Sequence, residues 1–309
     1  MLGTRNVSPR PPARRRGTSE AICGRAIVRG VYESRTRPPR QRVADAGVLE
    51  HRLELSGAEL AAPVPVVGVA SDARAGSSMR IVSLGGLTVR ITGGEDREGG
   101  GDGPVVALLH GFGAPGDDLA PLARVIDVPR STRFVFPEAP LSVPGSGGGR
   151  AWWMIDTERF ARRERGEDLS REVPAGMREA RERAVAMLDA VEDALRPARL
   201  VIGGFSQGAM LSCDIALRTE RPLAGLALLS GSFVAADEWT PLMPRRKGLR
   251  VFASHGRRDP LLPFATSERL RSALDDAGLP VRWVPFNGGH EIPPAALDGL
   301  VAFLRDVMT

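Results

Sequence analysis

The chain has 309 residues, 42% of them apolar, enough for one large core or two small ones. Its formal charge of +5 invites a nucleic-acid reading, but the surplus is local: residues 1–78 hold 13 arginines against 7 acidic residues, whereas residues 79–309 hold 29 basic against 30 acidic. A near-neutral body argues against nucleic acid as partner, two cysteines exclude a disulfide framework, and no stretch is long and apolar enough to span a membrane.

Residues 1–78 read as a tail outside the fold. Pro11-Pro12, Pro38-Pro39 and Arg14-Arg15-Arg16 interrupt the segment, and no helical or strand period survives. Such a composition cannot bury enough apolar surface to offset its ordering entropy. No apolar run follows the arginines as an export signal would require. Met79 stands directly before the first strand-like segment, and we expect translation of the functional body to begin there.

From Arg80 onward strands alternate with helices. Ile81–Leu84 and Leu87–Ile91 read as a hairpin turned at Gly85-Gly86. Val105–Leu109 is a continuous apolar run, the mark of a strand covered on both faces. It ends in His110-Gly111-Phe112-Gly113, after which Asp117 and Asp118 are expected to start a helix. Arg133–Phe136 is a further strand, and a long Gly/Pro-rich loop runs from Ala139 to Ile155. The charged run from Arg159 to Arg171 reads as a surface helix or lid edge. Met177, Ala180, Ala184, Met187, Leu188, Val191 and Leu195 recur at helical spacing, which predicts a helix over 174–196 with Pro174 at its start. Strands follow at Leu200–Gly203, Leu223–Leu229, Arg250–Ser254 and Val281–Val284, with helices from Gln207, over 264–277 and over 294–307. This alternation predicts an α/β fold with a mainly parallel central sheet and helices on both faces. Ligands in such folds sit beyond the carboxyl ends of the strands.

Gly204-Phe205-Ser206-Gln207-Gly208 lies between a strand and a helix and fits the G-x-S-x-G nucleophile elbow. About one such match arises by chance in every four chains of this composition, so its weight comes from context. A serine hydroxyl needs a base, usually histidine, and the chain holds only four histidines. His51 lies in the tail and His110 precedes the nucleophile. With the order nucleophile, acid, histidine, and the acid placed after the strand ending at His255, Asp259 and His290 are selected over the weaker acids Asp275 and Asp276. His255 is expected to pack at the sheet end and His110 to support the glycine loop. The oxyanion hole is expected from the backbone amides of Gln207 and Phe112. Cys213 reads as a buried small residue, and no metal-ligand cluster or phosphate-binding loop competes with these residues.

Several segments carry a resemblance: Leu109-His110-Gly111-Phe112-Gly113, Arg150-Ala151-Trp152-Trp153, Gly204 to Ala209, His255-Gly256 with Asp259-Pro260 and Pro263, and Gly289-His290-Glu291. In this order the body resembles the phospholipase/carboxylesterase family that includes acyl-protein thioesterases, within the α/β-hydrolases. The resemblance implies an α/β-hydrolase domain over 79–309, with Ser206, Asp259 and His290 as triad and Phe112 and Gln207 as oxyanion donors. It sets Trp152 and Trp153 beside the acyl pocket, where family members commonly carry a Trp-Tyr pair; Phe112 stands where they commonly carry leucine. The expected activity is hydrolysis of short to medium acyl esters or thioesters without cofactor or metal. The substrate is a small-molecule ester, and a cytoplasmic monomer or homodimer is expected. A peptidase or lysophospholipase of the same fold and a non-catalytic binding protein are the alternatives.

Overall fold

The computed structural model describes residues 79–156, 158, 162 and 166–309. The tail over 1–78, and most of the charged run expected as a lid edge, lie outside the described residues. The described chain builds an eight-stranded sheet. In chain order its strands are β1 (Arg80–Leu84), β2 (Leu87–Gly93), β3 (Val105–Leu109), β4 (Arg133–Pro137), β7 (Leu200–Phe205), β8 (Gly225–Leu229), β9 (Val251–Gly256) and β10 (Val281–Phe286), and across the sheet they stand β1-β2-β4-β3-β7-β8-β9-β10. The hairpin β1–β2 and the β2–β4 pair are antiparallel, and every pairing from β4 to β10 is parallel. A separate small hairpin, β5 (Leu141–Ser142) with β6 (Arg150–Ala151), sits within the long loop after β4.

Alternation along the buried strands divides the core. Val105, Ala107 and Leu109 of β3 face one apolar cluster, and Val106 and Leu108 face the other. The first is covered by α2 (Met177–Leu195), α3 (Gln207–Arg218) and α5 (Phe264–Asp276), the second by α1 (Leu122–Val125) and α6 (Pro294–Met308). A short α4 (Ala236–Trp239) adds the buried Trp239 to the first cluster. The apolar spacing read in α2 is the face it buries. Its start is later than expected, because Gly176, at φ +84, lies in a turn closed by the Met177 amide on Pro174 O before the helix begins. The helix expected at Asp117 is likewise reduced: turns occupy 116–121 and one helical turn follows at α1. Among the described residues no helix is long and apolar enough to cross a membrane.

Candidate active site

Strand β7 lies in mid-sheet between β3 and β8, and Ser206 follows directly at its carboxyl end. Ser206 has φ 53 and ψ −115, a backbone conformation that side chains disfavour by roughly 1–3 kcal/mol. The neighbours over-determine it. The Ser206 amide donates to Leu229 O at 2.9 Å, and its carbonyl accepts from the Met210 amide at 3.1 Å, opening α3. Gly204 and Gly208 must be glycine here, since a Cβ on either would drive into the Leu109 carbonyl. The serine is therefore pushed out over the sheet edge with the amino end of α3 behind it.

The loop after β3 passes directly alongside. A Cβ on Gly111 would lie 3.2 Å from the Phe205 ring and 3.4 Å from Ser206 Cβ. Phe112, one of the two expected oxyanion donors, follows Gly111 in this loop, and the amide of the other, Gln207, in the first turn of α3, has no carbonyl to meet within its own helix. The positive end of the helix dipole points the same way.

The glycine loop is held by a bracket that sequence reading found only in part. His110 is buried; its Nε2 accepts from the Ala139 amide at 3.1 Å, and Nδ1 donates to Gly111 O at 2.8 Å. Burial pushes its pKa down from the usual 6.5 to about 4, so it works as a neutral ring. The Trp152 indole N–H donates to His110 O at 3.0 Å. Gly113 and Ala114 pair with the backbone of Arg150, whose guanidinium holds Ala139 O, Pro140 O and Ser142 Oγ. Gln207 then ties this loop to the serine helix: its side-chain Oε1 accepts from the Trp152 amide at 2.9 Å and its Nε2 donates to Trp153 O at 2.8 Å. A polar residue at the start of a helix under a buried loop was the only signal in the sequence for that clamp.

Trp152 and Trp153, expected beside the acyl pocket, are 1% and 5% exposed and belong to the core cluster. The Trp152 ring packs against His110 at 5.7 Å. The pair anchors the loop, and the next residue, Met154, is the one that reaches solvent at 45% exposure.

Acid and histidine come together because β9 and β10 are parallel neighbours whose following loops are laced. Arg257 N donates to Phe286 O at 2.8 Å and Arg258 N to Gly288 O at 3.0 Å. Gly256 lies so close to Gly288 and Gly289 that a side chain would not fit. Asp259, its carboxylate fully buried, accepts from the Leu261 and Leu262 amides at 2.8 and 2.9 Å through Oδ1. Through Oδ2 it takes His290 Nδ1 at 2.6 Å. Burial would raise its pKa, but the hydrogen bonds from His255, His290 and the Leu262 amide outweigh that and hold the carboxyl well below the usual range. The His290 ring rests on the Phe205 ring at 4.7 Å, next to Ser206. Asp275 is elsewhere, closing the end of α5 onto the Val281 amide. Cys213 is buried on α3, its thiol pKa pushed up by desolvation. Among the described residues no group of three or more His, Cys, Asp or Glu could hold a metal ion.

Serine at a strained turn over a mostly parallel sheet, with the Asp259–His290 pair brought to its flank, defines a serine hydrolase of the α/β-hydrolase fold. The chain belongs to the phospholipase/carboxylesterase family, whose match runs over residues 98–308. It is 25% identical over 217 residues to an acyl-protein thioesterase 1 of Emericella nidulans, covering 66% of this chain and 90% of that protein. A probable carboxylesterase of Oryza sativa subsp. japonica is 27% identical over 209 residues, covering 65% and 76%. Among solved structures, esterase PE8 is 30% identical with a TM-score of 0.62, covering 72% of this chain and 99% of that one. The acyl-protein thioesterase 2 of Zea mays shares the fold at 22% identity and a TM-score of 0.55, over 72% and 99%.

Proposed function

We propose that Ser206, Asp259 and His290 are the catalytic triad of this esterase, with Phe112 and Gln207 as oxyanion donors, acting on short to medium acyl esters or thioesters. The observation that carries the reading is the 2.6 Å contact between His290 Nδ1 and the buried Asp259 carboxylate, with the imidazole resting on the residue before the strained serine. Asp259 fixes the tautomer with hydrogen on Nδ1 and leaves Nε2 as acceptor. Ser206 Oγ attacks the acyl carbon while its proton passes to His290 Nε2. The carbonyl oxygen becomes an oxyanion held by the two amides. Collapse expels the alcohol or thiol, which takes the proton from Nε2. Water then attacks the acyl-enzyme, with His290 again taking and returning a proton, and the acid is released with Ser206 restored.

The names of the relatives span thioesterase and carboxylesterase, so the leaving atom is part of the proposal. With both tryptophans used as anchors, the apolar surface for the acyl chain falls to the side chains they position, Phe112 and Met154 first among them. A cytoplasmic setting and a monomeric or dimeric state belong to the same proposal, as does a tail dispensable for catalysis. The test is a series of p-nitrophenyl esters of graded acyl length beside their thioester counterparts. Each methylene buried is worth about 0.8 kcal/mol, so kcat/KM should rise a few-fold per carbon until the pocket fills. A profile best on emulsified long-chain fat, or no hydrolysis of any acyl ester, refutes the substrate reading.

A further inference from the structure

The triad uses one histidine, yet a second stands on the same acid. His255, at the end of β9, has its ring fully buried. Its Nε2 lies 2.9 Å from the Leu262 carbonyl oxygen and 3.2 Å from Asp259 Oδ2. Both oxygens can only accept, so Nε2 carries a hydrogen, directed at Leu262 and shared with the carboxylate. Nδ1 is 2.9 Å from the Ser267 hydroxyl of α5, which also touches the Gly231 carbonyl beyond β8.

Leu262 is thereby held from both sides. Its amide donates to Asp259 Oδ1 and its carbonyl accepts from His255. The turn that carries the acid is closed onto β9 through one imidazole, and that imidazole is itself fixed from α5. Among the neighbouring charged groups, the Arg258 guanidinium donates to Asn287 O at 3.1 Å. His290 takes the remaining direction of Oδ2, Glu291 turns back to the Gly289 amide, and the Arg257 guanidinium sits over the Phe264 ring at 4.9 Å. Phe264 in turn meets the His255 ring edge-on at 6.2 Å.

We propose that His255 is a positioning residue for the catalytic acid: it holds the Asp259–Leu262 turn and presents a second N–H edge to the oxygen that grips His290. The role rests on the triad reading above. It has two separable consequences. Without the imidazole the turn relaxes and Oδ2 is no longer aimed at Nδ1, which slows turnover. Without the second N–H edge, Oδ2 concentrates its charge on His290 alone and favours the protonated ring, so the acid limb of the rate profile moves to higher pH.

The experiment compares full-length parent, Ser206→Ala, His255→Leu and His255→Gln on one p-nitrophenyl ester from mildly acidic to alkaline pH, with folding followed by circular dichroism and thermal melting. His255→Leu should lose turnover on the order of tenfold with KM little changed, and its acid limb should rise by about half a pH unit. His255→Gln, whose amide N–H reaches the Nε2 position, should recover most of both. A folded His255→Leu protein with the parent's turnover and acid limb overturns the role. So does one slowed equally at all pH values and not recovered by glutamine, which is the mark of a merely structural core residue. Should His255→Leu fail to fold, the long-range proton–nitrogen NMR spectrum of labelled parent decides, since hydrogen on Nδ1 alone excludes the proposed contact and hydrogen on Nε2 supports it. Hydrolysis surviving Ser206→Ala overturns the triad reading itself, and this role with it.

Discussion

His110 makes the bracket behind the glycine loop testable through pH. Its ring is 1% exposed and accepts the Ala139 amide on Nε2, an interaction protonation would destroy. Its pKa falls from the usual 6.5 to about 4, driven first by burial. The folded chain thus refuses a proton that the unfolded chain accepts between these values. Stability from this group is complete above the unfolded pKa, is lost as pH falls through the window, and levels off near pH 4. The full loss is about 3 kcal/mol, and about 2 kcal/mol of it is reached by pH 5. In a domain of this size that corresponds to a drop of roughly 4–8 °C in Tm. His110→Gln can still accept the Ala139 amide through its side-chain oxygen but does not titrate. Urea unfolding of parent and variant at neutral pH and at about pH 5 isolates the term, because every other group cancels in the difference. The parent should lose about 2 kcal/mol more than the variant on acidification. Equal losses would mean that His110 is not held neutral, and that burial of the bracket has been misjudged.

Three further outcomes follow from the same geometry. Gln207→Leu strips the Trp152 amide and the Trp153 carbonyl of their buried partners, so it should cost about 2–4 kcal/mol in urea unfolding and lower kcat; a cost under about 0.5 kcal/mol would deny the clamp. Ser206→Gly relieves the positive φ and should melt higher than Ser206→Ala by the equivalent of about 1 kcal/mol or more, although both are inactive; equal melting would show that the turn carries no strain. A chain beginning at Met79 should melt cooperatively and hydrolyse esters like the whole protein, and loss of folding would show that residues 1–78 pack on the body.

How much could be read in advance depends on where the signal lies. Buried parallel strands announce themselves as apolar runs, so β3, β7, β8 and β9 stand within two residues of their expected bounds. The turn around Ser206 was legible because backbone contact with Leu109 leaves glycine as the only residue that fits at 204 and 208. Asp259 and His290 were legible because the chain has few histidines and the loops after β9 and β10 are natural neighbours. What stayed hidden was side-chain wiring across long sequence separations. The Gln207 clamp joins residues 54 and 55 apart, and no local pattern encodes it. The family resemblance set the tryptophan pair beside the acyl pocket, whereas the indole hydrogen bond from Trp152 to His110 O is a supporting contact that no local pattern announces. His255 looked like a packing residue because its contact with Asp259 depends on how the turn at 259–262 folds back.

The central claim is that Ser206 is the single nucleophile of this hydrolase, and intact-protein mass spectrometry tests it directly. The full chain is treated with a fluorophosphonate, which phosphonylates an activated serine with loss of fluoride, and the product is digested and mapped. One adduct per chain on Ser206, formed in step with loss of esterase activity and abolished in His290→Ala, is the predicted result. An adduct on another residue, or activity that persists in a fully labelled protein, would contradict it.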